Sequence, residues 1–413
     1  MVNKNLGIIC FLELLRGVKR CFRRRKKSIP YIENIDYFKS GSPKRKRALI
    51  SLQPAAWLTA LREFPRIRFF NVNGLIYIMV KVLNENGYTV DIVDITDYRP
   101  DDFKPAKQYD IFIGHGGRVA SLVDKLEKNN TVILQYVSQA YWKEFLRQST
   151  ERYERVCVQK RIPLITSHIR SHTDQERRGE EHLAERAKYF FTGNCPRMIK
   201  GYGKYAHKIH TVGWAAYVED DLIVKDRDFD AGRKGFLYVA GTGGNIQKGL
   251  DLLLETFART PDLYLYIYCD VEKEVRTLFR KELSLPNIQY IYHYRFGFLR
   301  KHLRTILKRV NFTITAPIDT GIGTAFLGSL GIGLIPVGYA DMPCSPANSH
   351  LANSWQIESL VSDVREASRM PVEWCQQASA LSMQNFRDNW SPQAFEKGFS
   401  EFIRYVETSS VKL

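Results

Sequence analysis

Short apolar segments alternate with segments of helical periodicity along almost the whole chain after Arg47, and this alternation constrains the fold more than any other feature. Short apolar runs are typical of buried strands, whereas apolar residues three and four positions apart are typical of one helix face. The alternation predicts mostly parallel, doubly wound sheets. Strands are predicted at residues 48–52, 88–93, 109–113, 131–136, 163–166, 189–192, 236–240, 263–268, 288–292, 312–315 and 333–337.

The alternation stops once, at residues 213–234, which are rich in Asp, Lys and Arg and have little apolar periodicity. A chain of 413 residues is long enough for two to three domains. We therefore predict an α/β protein with two doubly wound, Rossmann-like domains, at residues 48–212 and 235–390, joined by a linker at 213–234. A final helix is predicted within residues 391–413, with Ser391 as its N-cap and Pro392 at its first position.

The excess positive charge is concentrated at the N-terminus. Residues 1–47 hold fourteen Lys or Arg against three acidic residues, which is +11 of the net charge of +17. The apolar segment 6–15 is too short to span a bilayer, and the charge follows it, whereas in a secretory signal the charge comes first. A basic amphipathic arm on an anionic membrane surface, chiefly through residues 1–30, fits best. A solvated tail and a nucleic-acid-binding arm are the alternatives; we expect no nucleic-acid partner.

Cysteine usage indicates a reducing compartment. The seven cysteines are scattered and form no CxxC pair, which argues against a disulfide framework and against a zinc site. We therefore predict no metal site. His168 and His172 are four positions apart but lie in a polar stretch that is more typical of a solvated helix face than of a metal site.

The first glycine-rich loop lies inside the stretch FLYVAGTGGNIQKGLDLLLETF, residues 236–257. An apolar strand is followed by Gly241, Gly243 and Gly244, then Lys248, then a Leu-rich helix. Glycines allow a tight turn and close approach to the backbone, and a helix start with a nearby lysine suits an anionic group such as a phosphate. The alternative is a plain strand-to-helix turn with a solvent-facing lysine.

A second loop of the same kind follows the strand predicted at residues 312–315. It comprises Asp319, Thr320, Gly321, Ile322, Gly323 and Thr324, and it precedes a helical segment. If the two loops follow neighbouring strands of one sheet, together they can bind the phosphates and the polar rim of a nucleotide-linked ligand.

The N-terminal half offers two further loops at predicted strand or helix ends. Asn73 and Gly74 open one helix, and His115 lies among Gly114, Gly116 and Gly117. A histidine flanked by glycines leaves its ring and the surrounding amides open to a ligand. The alternative for His115 is a solvent-facing turn residue.

With these loops in place, the sequence resembles the group 1 class of retaining glycosyltransferases with the GT-B fold, over roughly residues 48–405. The resemblance rests on VAGTGGNIQKGLDLLLETF, APIDTGIGTAFLGSLGIGLIPVG and WSPQAFEKGFSEFI. It implies that the two domains face a central cleft, that residues 48–212 are the acceptor side and 235–390 the donor side, and that residues 391–413 pack back toward the N-terminal domain.

The resemblance also implies roles for individual residues. Lys248 and the amides at Gly323 and Thr324 would hold the donor diphosphate, and His115 would face the donor sugar. Catalytic roles fall to His115 and Asp319; the donor-binding set is Asn73, Gly74, Gly116, Gly243, Gly244, Lys248, Thr320, Gly321, Gly323 and Thr324. Gly243 replaces the usual Arg of the family, and Thr320 and Gly328 replace its usual pair of glutamates.

We therefore expect a metal-independent, retaining hexosyltransferase that needs no cofactor besides its nucleotide-sugar donor. Its acceptor would be a glycan or a lipid-linked glycan in surface polysaccharide assembly, and it would lie in the cytoplasm on the inner face of the membrane. The altered glutamate positions favour one alternative, a non-catalytic binding or scaffold subunit of the same fold. A nucleotide-sugar epimerase or hydrolase is a third possibility.

Deleting residues 1–30 should weaken binding to anionic lipid vesicles, because the deletion removes most of the basic arm, and should leave nucleotide binding intact. Vesicle co-sedimentation of the full and truncated chains measures this. Equal vesicle binding by the two chains would contradict the membrane arm.

Overall fold

The computed structural model describes residues 31–38, 46–52, 57–58, 60–61, 72–94, 107–116, 119–163, 173–193, 196–218, 222–241, 244–292, 297–318, 323–339, 350–352 and 356–410. The membrane arm at residues 1–30, most of the strand predicted at 163–166, and His168 and His172 therefore lie outside the described residues.

Residues 31–211 build a seven-stranded sheet in the order β1-β3-β2-β4-β5-β6-β7. β1 runs antiparallel to β3, and the other neighbouring pairs are parallel. The strands are β1 (Tyr31–Ile35), β2 (Lys46–Ser51), β3 (Tyr88–Val93), β4 (Ile111–Gly114), β5 (Val132–Tyr136), β6 (Tyr189–Thr192) and β7 (Ile209–Thr211). The helices are α1 (Val72–Glu85), α2 (Ala120–Glu127), α3 (Trp142–Lys160), α4 (Asp174–Arg186) and α5 (Pro196–Gly201), followed by a 3-10 turn at Gly203–Lys208.

The second half builds a six-stranded parallel sheet in the order β10-β9-β8-β11-β12-β13. Its strands are β8 (Gly235–Val239), β9 (Tyr264–Cys269), β10 (Ile288–Tyr292), β11 (Phe312–Ile314), β12 (Ile335–Tyr339) and β13 (His350–Ala352). The helices are α6 (Phe229–Gly232), α7 (Leu250–Ala258), α8 (Lys273–Leu278), α9 (Gly297–Leu307), α10 (Thr324–Gly331), α11 (Ile357–Ser368), α12 (Val372–Asn389) and α13 (Pro392–Ser410), and a 3-10 turn lies at Glu282–Ser284.

The core of the second sheet explains why the stretch after residue 235 folds as it does. Every residue of β8 is buried, and Phe236 stacks on Phe312 of β11 at 4.9 Å between ring centroids. Phe257 of α7 packs edge-on against the Phe236 ring, at 5.3 Å between ring centroids. The apolar strand and the apolar helix face predicted from the sequence therefore pack on each other, and the glycine-rich loop between them lies at the carboxyl edge of the sheet.

The last helix, α13, packs against α1 and the first sheet. Ser391 accepts a hydrogen bond from the Ala394 amide at 3.1 Å, so the predicted N-cap is confirmed. Phe395, Phe399 and Phe402 are buried in the core beneath β2 and β3. Residues 391–410 thus contribute to the hydrophobic core of the N-terminal half. Within the described residues, no helix combines the length and the apolar composition needed to cross a lipid bilayer.

The structure departs from the prediction at the end of the arm. The sequence predicts an arm over residues 1–47, but residues 31–35 form β1, and Lys46 and Arg47 begin β2. β1 is an edge strand whose Glu33 and Asn34 are exposed, so it shows no apolar alternation. The Lys46 ammonium pairs with Glu407 of α13 at 2.7 Å, so this basic residue belongs to the fold rather than to a free arm.

The segment predicted as a linker, residues 213–234, is bonded to the C-terminal half through its second part. Arg227 donates to the carbonyl of Ile332 at 2.8 Å and to that of Gly333, at the end of α10. The Asp228 amide donates to Lys308 O at 2.8 Å. Cationic side chains at a helix C-terminus satisfy carbonyls that have no partner inside the helix.

A buried carboxylate fastens the edge strand β1 to the sheet. Asp91 of β3 is 1% exposed and accepts hydrogen bonds from the Tyr109 hydroxyl at 2.7 Å, the Tyr31 hydroxyl at 2.9 Å and the Asn34 amide at 2.6 Å. Lys107 adds an ion pair at 3.1 Å. Burial alone would raise the pKa of Asp91, but these hydrogen bonds hold it below its ordinary value.

Asp91→Asn should lower the free energy of unfolding by about 1–3 kcal/mol, because one of its acceptor positions becomes a donor that faces other donors. Since the folded-state pKa of Asp91 is lowered, its contribution is present above about pH 4 and is lost as the pH falls through the folded-state pKa. Urea unfolding across this range should show a weaker acid dependence in the variant. The control is Glu33→Gln, at an exposed carboxylate that also pairs with Lys107, for which we expect less than about 1 kcal/mol; equal effects of both changes would contradict the assignment.

Candidate functional site

The strand order of the second sheet brings its two glycine-rich loops together. β8 comes first in this half and lies between β9 and β11. The connection after β8 runs to β9 on one side, whereas the connection after β11 runs to β12 on the other side. Ligands of doubly wound sheets bind outside the carboxyl ends of the strands at such a reversal. The loop after β8 carries Lys248, and the loop after β11 leads to Gly323, so both loops lie at this point.

Backbone contacts hold the two loops against each other. The Ile318 amide donates to Gln247 O at 2.8 Å, and the Thr315 hydroxyl donates to Lys248 O at 3.4 Å. Gly249 has φ of +85°, and a side chain there would collide with the carbonyl oxygen of Ala316. Only glycine allows this approach, so the position after Lys248 is fixed by the packing of the two loops.

Lys248 folds its side chain back onto the start of the first loop. Its half-buried side chain donates to Gly241 O at 3.3 Å, which places the ammonium over the end of the turn that leaves β8. Burial raises the pKa of the nearby Cys269 thiol to about 12, and the charge of Lys248 opposes that rise. The positive charge therefore acts on the end of β9 as well as on the loop.

The start of α10 supplies a second positive region. Gly323 precedes the helix and is exposed, and among the described residues no side chain caps it. The first amides of a helix have no carbonyl partner within the helix, and its N-terminus carries about half a positive charge. The amides that begin with Thr324 are therefore suited to an anionic group.

The carboxylate of Glu272, which no motif in the sequence indicates, binds the backbone of the first loop. Its carboxylate accepts from the Gly244 amide at 2.9 Å and from the Asn245 amide at 3.1 Å. In return, the Glu272 amide donates to Asn245 Oδ1 at 2.7 Å. The amide of Gly244, a residue predicted to belong to the donor-binding set, thus already binds a carboxylate of the protein itself.

His115 follows β4 at the corresponding reversal of the first sheet, between β2 and β4. Its Nδ1 lies 3.2 Å from Tyr136 O, and its Nε2 lies 3.4 Å from the Ser138 hydroxyl. A carbonyl only accepts, so Nδ1 carries the proton and Nε2 is an acceptor. Burial lowers the pKa of His115, although the bond to Tyr136 opposes this, so the ring is neutral at pH 7. Gly116, with φ of +74°, turns the chain after it.

The remaining predicted residues are placed as follows. Gly74 lies in the first turn of α1, where the Tyr217 ring occupies the space that a side chain at this position would fill. Asn73 is in the same turn, but its side chain is outside the described residues. Gly243, Asp319, Thr320 and Gly321 also lie outside them. The structure therefore places Gly244 and Lys248 in the loop after β8. This loop contacts Thr315 and Ile318 of the loop after β11, which continues to Gly323. The contacts of His115 given above are all made within the N-terminal half.

Among the described residues, acidic and metal-binding side chains form no second candidate site. Gly328 is buried within α10. The family that the sequence resembles usually has a glutamate at this position. Within the described ranges, no group of three or more His, Cys, Asp or Glu side chains is arranged to hold a metal ion.

Comparisons with known proteins identify the fold. No protein-family model and no curated protein sequence matches the chain. Among solved structures, the lipopolysaccharide outer core galactosyltransferase WaaB in its apo form matches with a TM-score of 0.57 at 12% identity, over 87% of this chain and 99% of that one. Anabaena HepE in complex with UDP and glucose matches with a TM-score of 0.53 at 9% identity, over 87% and 99%.

The UDP-forming trehalose-phosphate synthase from Burkholderia xenovorans, in complex with glucose-6-phosphate, matches with a TM-score of 0.54 at 10% identity, over 88% of this chain and 100% of that one. These matches extend over both halves of the chain. They confirm the predicted fold class, two doubly wound domains in the GT-B arrangement.

His115 should titrate below about pH 6.5, the ordinary pKa of histidine, because burial disfavours the charged ring. Since the folded-state pKa is lowered, stability should fall as the pH drops from about 6.5 through the folded-state pKa. NMR titration of the histidine ring signals measures the pKa of His115, and the variant His115→Gln identifies the signal that belongs to this residue. A midpoint at or above 6.5 would contradict the half-buried, neutral ring.

Proposed function

We propose that the chain transfers a sugar from a nucleoside-diphosphate sugar to a glycan or lipid-linked acceptor. The proposal rests chiefly on one observation: at the reversal of the second sheet, a lysine and a helix start lie on two loops that are bonded to each other. The GT-B fold supports it, as do the structures of that fold that hold UDP.

The chemistry of such a transfer explains these residue types. The bond between the anomeric carbon and the diphosphate oxygen breaks, the acceptor oxygen bonds to that carbon, and the acceptor hydroxyl loses its proton. Negative charge grows on the leaving diphosphate, and fixed positive groups stabilise it most when they need not reorganise. Lys248 and the amides from Gly323 and Thr324 are such groups, whereas the Gly244 amide serves Glu272 instead.

On the N-terminal side, His115 is the candidate for contact with the donor sugar. Because Nδ1–H is held by Tyr136, Nε2 is the acceptor, and a sugar hydroxyl would take the place of the Ser138 hydroxyl, which lies 3.4 Å from it. The resemblance alone supports four further proposals. These are a catalytic role for Asp319, retention of configuration, a hexose as the transferred sugar, and independence from metal ions.

We further propose a place on the inner face of the cytoplasmic membrane, in surface polysaccharide assembly. The basic composition of residues 1–30 supports this location, because an anionic bilayer attracts clustered Lys and Arg. WaaB, one of the similar folds, is described as a lipopolysaccharide outer core galactosyltransferase.

A second candidate is a non-catalytic subunit that binds a glycan or a partner enzyme. Two observations favour it. The Glu272 carboxylate adds negative charge beside the first loop, where a diphosphate would need cations. A buried glycine stands at position 328, where the family that the sequence resembles usually has a glutamate. Product analysis separates the candidates: a transferase needs an acceptor, an epimerase or hydrolase does not, and a binding subunit turns over nothing.

Lys248→Ala should weaken binding of UDP by about 1.5–3 kcal/mol, the range for hydrogen bonds to charged groups. Isothermal titration calorimetry with UDP, followed by other nucleoside diphosphates, measures it. The matched control is Lys281→Ala, at an exposed lysine beyond the far end of α8, which should leave the affinity unchanged. Equal affinity of Lys248→Ala and the unaltered chain would remove Lys248 from the site.

A further inference from the structure

One helix of the N-terminal half, α3, reaches into the C-terminal half. Its first end is held by the N-terminal core, where Tyr141 is buried beside Tyr202. Its middle is not, because Tyr153 and Val156 are buried in the core of the second sheet, with Leu250 and Leu254 of α7. Two polar residues of this helix that contact the C-terminal half, Ser149 and Arg152, are buried as well.

The first polar contact reaches the loop after β8. Gln247 Nε2 donates to the Ser149 hydroxyl at 3.1 Å, and both side chains are buried. Gln247 is the residue whose carbonyl binds the Ile318 amide, and it directly precedes Lys248. α3 therefore contacts the first loop at the residue that joins it to the second.

The second contact reaches the loop after β11. Arg152, 3% exposed, donates from Nη2 to Ala316 O at 2.8 Å. Its Nε lies 3.8 Å from Asp251 Oδ2 in the first turn of α7. One guanidinium thus contacts the second loop and the helix that follows the first loop. Arg155 supports it with ion pairs to Asp251 at 3.1 Å and Glu255 at 3.0 Å.

We propose that Arg152 is a positioning residue for donor binding, and this rests on the function proposed above. Its planar guanidinium holds Ala316 and Asp251 at a fixed separation, so the two loops present Lys248 and the start of α10 at the spacing that a diphosphate needs. Arg152 acts through the loops and touches no donor atom. A lysine carries the charge but lacks the fork that reaches both groups at once.

The test compares Arg152→Lys and Arg152→Met with Lys160→Met. Lys160 lies two turns further along α3, and its 2.6 Å ion pair with Glu282 also crosses to the C-terminal half, but away from both loops. Two measurements are made on the full chain: hydrogen exchange of peptides that contain residues 244–249 and 315–318, and calorimetric affinity for UDP. Arg152→Lys keeps a charge beside the buried Asp251, so the test stands if Arg152→Met does not fold.

We expect both Arg152 variants to exchange faster in both loops and to bind UDP about tenfold more weakly or worse, whereas Lys160→Met changes neither. Unchanged exchange in the Arg152 variants, unchanged UDP affinity despite faster exchange, or equal changes in Lys160→Met would each overturn the role of Arg152. If the unaltered chain binds no nucleoside diphosphate, the proposed function fails, and the exchange measurement alone decides whether Arg152 holds the loops.

Discussion

The reversal of strand order at β8 is the constraint on which the candidate site depends. Because β8 lies between β9 and β11, the loops after β8 and β11 leave the same edge of the sheet side by side. Their backbones then bond to each other, and Gly249 is needed at the point of closest approach. Lys248 is therefore held by two loops, and the second of them continues along the chain to the start of α10.

The charges around this point are few. A nucleotide-sugar diphosphate is a dianion, and the described part of the first loop supplies one cation, Lys248, together with a carboxylate, Glu272. That carboxylate accepts hydrogen bonds from two backbone amides. The partial positive charge at the start of α10 must then make a substantial contribution to anion binding.

The sequence predicted the buried strands well because each is a short apolar run between polar turns. The runs at 88–93, 189–192 and 288–292 coincide with β3, β6 and β10. β1, β7 and β13 were missed: β1 is half-exposed at the sheet edge, and β7 and β13 have three residues each. In the candidate site, glycine spacing predicted the two loops, which the strand order places side by side, whereas the role of Lys248 stays a prediction. Glu272 and Arg152 were not predictable, since their partners lie 27 and 164 positions away and their roles arise only from tertiary packing.

The two halves of the chain each bury a helix in the core of the other. α13, which follows the second sheet, packs its phenylalanines into the first core, and α3, which follows β5, packs Tyr153 and Val156 into the second. α13 follows Trp390, which is buried in the second core and whose carbonyl accepts from the Ala216 amide at 2.9 Å. α3 is fixed in both halves, because its N-terminal end lies in the N-terminal core while Arg152 and Arg155 pair with the buried Asp251. Opening the halves along α3 would leave that carboxylate buried without its cations, which is costly. Movements of the two halves against each other are therefore expected on the side away from α3.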